Sequence, residues 1–168
     1  QAIDEARLMY EKAETLKYDL GIALSNTAIG DAYYCSNMTE EAANAYKEAI
    51  LHPVSSSEGN YYKEMAMLHL KEIFIREHNS EEAESYREML LKSDAMHTNQ
   101  TILFFHYCSD VAYYIMTGES QKAQDSFLEV EKIYHSCKEP YYYSPFLCSQ
   151  GLYNETIGKN ELALLCYD

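Results

Sequence analysis

A chain of 168 residues is long enough to bury about 70% of the surface its unfolded form exposes, so it can build a core of its own. With 47% hydrophobic and 24% charged residues, 6 Gly and 3 Pro, it falls outside the compositions of disordered chains. The 13 Lys and Arg against 27 Asp and Glu give a formal charge of -14, which repels nucleic acid or an anionic membrane and admits basic partners, or apolar ones inside an acidic rim.

Apolar periodicity predicts helices along the whole chain, at 2–18, 21–36, 39–51, 58–78, 80–96, 99–117, 119–137, 142–157 and 159–168. The first carries Ala6, Tyr10 and Ala13 at helical spacing. Asn37-Met38-Thr39 follows the second helix, and the third runs into the loop His52-Pro53-Val54-Ser55-Ser56-Ser57. Further turns fall at His78-Asn79-Ser80, Gly118-Glu119-Ser120 and Gly158-Lys159-Asn160, each joining a helix-ending residue to polar residues suited to a helix start. The apolar run Thr101-Ile102-Leu103-Phe104-Phe105 is far short of the ~20 residues a membrane-spanning helix needs, so no insertion into a membrane is expected. Tyr141-Tyr142-Tyr143 is too dense to be all core, and at least one of the three is expected at the surface.

The pattern repeats. Tyr46, Tyr86, Phe127 and Tyr167 recur at intervals near 40 residues, and upstream of them Gly30, Leu70, Val111 and Gly151 align, followed by Tyr33, Ile73, Tyr114 and Asn154. Each unit therefore holds two helices. Its second helix carries Ala42, Ala123 or Ala163 ahead of the aromatic, with Ala83 one place out of step in the second unit. Small residues let helices approach and the aromatic fills the wedge between hairpins, so stacking supplies the core that one hairpin lacks.

These residues resemble the tetratricopeptide repeat, most closely in Gly30, Tyr33, Ala42, Tyr46, Ala49 and Pro53. The resemblance implies an all-α right-handed superhelix of antiparallel hairpins, an α-solenoid of about four hairpins. Residues 1–168 form one domain in that reading, with a partial repeat at 1–19, repeats at about 20–57, 58–97 and 98–138, and a partial repeat at 139–168. Both ends have second-helix patterns and the chain starts at Gln1, so it reads as a piece of a longer protein whose exposed repeat ends leave self-association open.

Motifs for chemistry are missing from the sequence. The histidines His52, His69, His78, His97, His106 and His135 form no metal-binding spacing, and the pair His69 and Glu72 reads as a surface contact. Gly-rich phosphate loops and a Gly-x-Ser-x-Gly elbow do not occur. Cys35, Cys108, Cys137, Cys148 and Cys166 lack paired spacing and read as free thiols packed between helices, a usage suited to a reducing compartment and compatible with bacterial cytoplasm or periplasm. No cofactor, no metal and no enzymatic activity are expected, and no cluster of perturbed acids or histidines is foreseen.

The resemblance further implies that first helices line a concave groove. Its candidate residues are Thr27, Asp31, Tyr34, Met67, Lys71, Phe74, Phe105, Cys108, Ala112, Ile115, Leu152 and Glu155. This strip is apolar and aromatic, and Lys71 is the only cation in it, too few donors to clamp a carboxylate. The implied ligand is an apolar peptide or helix of a protein partner. Resemblance to tetratricopeptide regions of bacterial sensor kinases and transcriptional regulators implies an interaction or sensory module in signal transduction. The alternative is an assembly scaffold or adaptor with no switching role.

Overall fold

The computed structural model describes residues 2–54, 56–137 and 139–167. The predicted loop member Ser55, the repeat boundary at Lys138 and the chain ends Gln1 and Asp168 lie outside them. Among the described residues the regular elements are all helical: α1 (Ala2–Thr15), α2 (Asp19–Cys35), α3 (Thr39–Leu51), α4 (Ser57–Arg76), α5 (Ser80–Leu91), α6 (Ala95–Thr98), α7 (Gln100–Met116), α8 (Ser120–Cys137), a 3-10 turn (Pro140–Tyr142), α9 (Tyr143–Thr156) and α10 (Asn160–Tyr167). None of these helices is long and apolar enough to cross a membrane. The helix expected at 80–96 stops at Leu91. Ser93 and Asp94, whose side chains compete with helical backbone bonding, separate it from the single turn of α6.

One turn geometry is used five times among the described residues. Lys17, Asn37, His78, Gly118 and Gly158 all have positive φ, between 52° and 78°. Around each, two backbone bonds close the preceding helix, as in Met38 N–H to Tyr33 O and Asn37 N–H to Tyr34 O, both 3.0 Å. The same pair recurs as Asn79 to Phe74 with His78 to Ile75, and as Glu119 to Tyr114 with Gly118 to Ile115. This is the Schellman closure, and glycine meets its left-handed requirement at Gly118 and Gly158. Each turn also feeds the next helix: the carbonyl of the residue after the positive-φ position accepts from Ile22, Ala42, Ala83, Ala123 and Ala163 in turn.

That bonding pattern fixes the register and corrects the expected one. Asn37, His78, Gly118 and Gly158 are 41, 40 and 40 residues apart, as are the buried Ala42, Ala83, Ala123 and Ala163. Ala83 is thus in step, and the expected alignment of Leu70 and Ile73 is one residue off. The structural equivalents of Gly30 and Tyr33 are Lys71 and Phe74, and the position equivalent to Tyr46 is Arg87, with Tyr86 one place early. The slip arises because the 41-residue interval falls between the first and second units, whereas the alignment of the aromatics puts it between the second and third, from Tyr86 to Phe127.

Helices α2, α4, α7 and α9 pack against one another in chain order, while α3, α5, α8 and α10 each pack against the helix preceding them in their hairpin. α1 packs on α2, and α3 and α8 also touch the following α4 and α9. Aromatic wedges fill the joints as expected in two units: a Cβ on Gly30 would collide with the Tyr46 ring, and one on Gly151 with the Tyr167 ring. In the third unit Phe127 stacks on Tyr153 with centroids 4.9 Å apart. Of the three consecutive tyrosines, Tyr142 is buried and stacked on Phe104 at 4.0 Å, while Tyr141 and Tyr143 are exposed. The thiols depart from expectation in part. All five are free, as expected, and Cys108 and Cys137 are half-buried against core side chains, but Cys166 is only half-buried and Cys35 and Cys148 are exposed.

Candidate functional site

Because α2, α4, α7 and α9 lie side by side, residues a turn apart on each form a continuous strip. The strip encloses a groove of about 270 Å³, walled by Tyr34 from α2, Ile75 and Arg76 from α4, Phe105 and Ala112 from α7, and Pro145 and Leu152 from α9. Its floor carries Cys108, Ser109 and Ser149, with Glu72 and Cys148 at its border. Burial pushes the Cys108 thiol up to about 12, although a hydrogen bond with Ser149 works against this, so the group is a neutral, unreactive wall at physiological pH. Arg76 donates to the Tyr34 hydroxyl at 2.8 Å and lies over its ring at 5.4 Å, which pins both groups.

Of the twelve predicted lining residues, Tyr34, Phe105, Cys108, Ala112 and Leu152 meet in this groove. Asp31 and Glu155 are exposed outside its walls, and Ile115 is half-buried against core. Thr27 is buried, its hydroxyl bonded to the Ala23 carbonyl at 2.9 Å. The second-unit choices fail together: Met67 lines a separate cleft with Tyr61 and Lys92, Phe74 is buried against Tyr86, and Lys71 is wholly enclosed. The one-residue slip explains Lys71 and Phe74, whose neighbours Glu72 and Ile75 do line the groove, while the neighbour of Met67, Leu68, is buried as Thr27 is.

Behind the groove floor sits a polar cluster that the sequence did not announce. Lys71 is 0%, His106 1% and Asp110 2% exposed. Lys71 Nζ donates to an Asp110 carboxylate oxygen, to Ser109 Oγ at 2.8 Å and to the His106 carbonyl at 3.4 Å. Arg87 Nε reaches both Asp110 oxygens at 3.2 Å, and His106 Nε2 lies 3.3 Å from Asp110 Oδ2. Burial alone would raise the Asp110 pKa, but Lys71 and then His106 outweigh it and hold the carboxyl well below its ordinary range. Burial lowers Lys71 against the pull of Asp110, and burial lowers His106, whose Nδ1 has no hydrogen-bond partner.

Lys71, His106, Asp110 and Ser109 have the composition of an acid–base site, and their convergence corrects the expectation that no such cluster forms. Access decides what it can do. With Lys71, His106 and Asp110 sealed, a substrate atom would reach only Ser109 from the groove, and Ser109 is itself donating to the His106 carbonyl at 2.9 Å. The cluster instead occupies the Gly–aromatic joint of the second unit, with Lys71 in the glycine slot and Arg87 in the aromatic slot. It ties α4 and α5 to α7 as Tyr46 ties α3 to α2. Two signals in the sequence mark it once the register is right: a lysine at a buried slot and His106-x-x-x-Asp110 on one helix face. Among the described residues no three His, Cys, Asp or Glu side chains are placed to hold a metal ion.

His69 is also more than a surface contact. Its ring stacks on Tyr46 at 5.1 Å, Nε2 lies 3.6 Å from Asp31 Oδ1 and Nδ1 3.6 Å from Glu72 Oε2. Burial lowers its pKa, but Glu72 and Asp31 win and the net direction is upward. A base with a raised folded pKa stabilises fully below its unfolded value, ~6.5, and loses that contribution as pH rises through the folded one. Thermal melts at pH 6 and pH 8 are therefore expected to show a larger loss of stability at the higher pH for wild type than for His69→Gln. Equal losses would mean the imidazolium is not engaged by the two carboxylates.

No protein-family model, curated protein or solved structure matches this chain.

Proposed function

We propose that the chain is a right-handed superhelix of about four tetratricopeptide-like hairpins, which binds a protein or peptide in the groove across α2, α4, α7 and α9 and catalyses no reaction. The observation that carries this reading is the groove itself: an apolar trough crossing four consecutive first helices, with its polar neighbours locked into the fold. At about 270 Å³ it falls below the ~300–1,000 Å³ usual for small-molecule sites, and suits one or two anchoring side chains of a longer segment. The recurrent turn and the alanine behind it support the repeat assignment. A role in bacterial signal transduction draws its support from the resemblance to regulator-associated tetratricopeptide regions. The scaffold reading draws on a different observation, the exposed Leu162, Leu164 and Leu165 of α10, a face suited to further packing.

Filling the trough tests the binding reading. Peptides selected by phage display on the wild-type chain are expected to bind Ala112→Trp more than about ten-fold more weakly, with the helical circular dichroism spectrum unchanged. Selected peptides that bind both proteins equally would place recognition elsewhere on the molecule.

A further inference from the structure

We infer that the segment taken by this groove is apolar at its anchor and acidic beside it, with an internal aspartate or glutamate side chain seated on Arg76; this rests on the peptide-binding reading above. Ile75, Phe105, Ala112 and Leu152 supply the anchor seat, and Arg76 stands in the wall next to Ile75. Its guanidinium lies over the Tyr34 ring and gives one N–H to the Tyr34 hydroxyl, so it is held in place with other donors left over. Among the described residues it pairs with no carboxylate.

Charge along the groove singles out that arginine. Helices α2, α7 and α9 contain no lysine or arginine, so the cations of the groove helices all belong to α4. There Lys71 is enclosed against Asp110 and Lys63 lines the separate cleft, which leaves Arg76 as the cation of the groove wall. Glu72 is the carboxylate at the border, one turn before Arg76 and at the spacing of a helical ion pair, yet it turns to His69 at 3.6 Å. A neutral segment lying across the wall would strip water from the free donors of Arg76 with nothing in return, and a basic one would add repulsion. A carboxylate replaces that water with a charge-assisted bond. The formal charge of -14 opposes it only at long range, which salt at about 0.15 M screens beyond about 8 Å. A chain terminus, which needs several donors converging on it, is not provided for by one arginine.

The test is calorimetric titration, at about 0.15 M salt, of C-terminally amidated nonapeptides in which a central Leu, Ile, Phe or Met is flanked by Glu, by Gln or by Lys, against wild type, Arg76→Gln and Ala112→Trp. The glutamate series is expected to bind the wild-type chain about five-fold more tightly than the glutamine series, and to lose that advantage on Arg76→Gln with the helical circular dichroism spectrum unchanged. Equal binding of the three series, an advantage that survives Arg76→Gln, or tighter binding of the lysine series overturns the acidic inference, and leaves the groove reading standing where Ala112→Trp abolishes binding. Glutamine peptides cut after the apolar residue and given a free carboxylate overturn it too if they bind more tightly than the glutamate series. Binding that survives Ala112→Trp, or no binding by any peptide, overturns both.

Discussion

Asp110→Ala is expected to destabilise the protein by about 3–5 kcal/mol, the usual cost of leaving a buried charge without its partner. Lys71 has no exposed surface, and removing the carboxylate strips away the anion it is paired with while Arg87 remains nearby. Lys71 would then have to shed its proton or draw water into the joint between α4 and α7. Replacing both groups by apolar ones should behave differently, because the joint then needs no desolvated charge. Lys71→Met with Asp110→Leu is expected to recover more than half of the single-mutant loss, a non-additivity that urea denaturation of the four proteins would measure as a coupling energy. Arg87 and His106 would survive that change, and Arg87, being 17% exposed, can turn toward Glu84 and solvent. Strict additivity of the two single losses would show that Lys71 and Asp110 do not act as a pair. The acid limb gives an independent reading. A carboxyl with a depressed folded pKa contributes stability above its unfolded value, ~3.9, and loses it as pH falls toward the folded one, so the Asp110→Ala protein should lose less stability between pH 5 and pH 3 than wild type does.

The all-helical architecture was legible because it depends on periodicity and on turn residues, and both survive small shifts of alignment. Gly118 and Gly158 marked two turns through backbone need, and Asn37 marked a third; Lys17 closed its turn in the same geometry with no compositional signal at all. The groove was legible in part. Tyr34, Phe105, Cys108, Ala112 and Leu152 were found because the first, third and fourth units keep their spacing. Lys71 and Phe74 were misplaced by one inserted residue, and on a helix one residue is a rotation of about 100°, enough to exchange a lining position for a buried one; Met67 misses the groove in either register, since Leu68 beside it is buried. The ionic joint was hidden for the same reason. Read one residue out of register, Lys71 falls on the groove wall beside the small-residue slot, and only the three-dimensional register puts it at the slot itself, 39 positions away from the aspartate it meets.

Tyr46→Ala is expected to cost about 3–5 kcal/mol, and Tyr46→Phe only about 1 kcal/mol. The ring fills a joint that nothing else can fill: it is wholly buried, lies against the backbone of Gly30 and stacks under His69. Its hydroxyl donates to Asp31 at 2.8 Å, but that carboxylate is half-exposed and water can take the place of the hydroxyl. The weight therefore rests on shape. Gly30→Ala probes the same joint from the other side, since its Cβ would sit 2.5 Å from the Tyr46 ring and force the helices apart, at a cost of about 1–3 kcal/mol. Combining Gly30→Ala with Tyr46→Leu should cost less than the sum of the two, because each substitution removes the clash or the void the other creates. Arg87 holds the equivalent position one unit later, and there the prediction reverses in kind. Arg87→Ala should lose an ion pair to Asp110 rather than a wedge, so its cost should fall with added salt while that of Tyr46→Ala should not. Denaturation midpoints for the two proteins at low and high salt would separate an electrostatic joint from a steric one at the same address in consecutive hairpins.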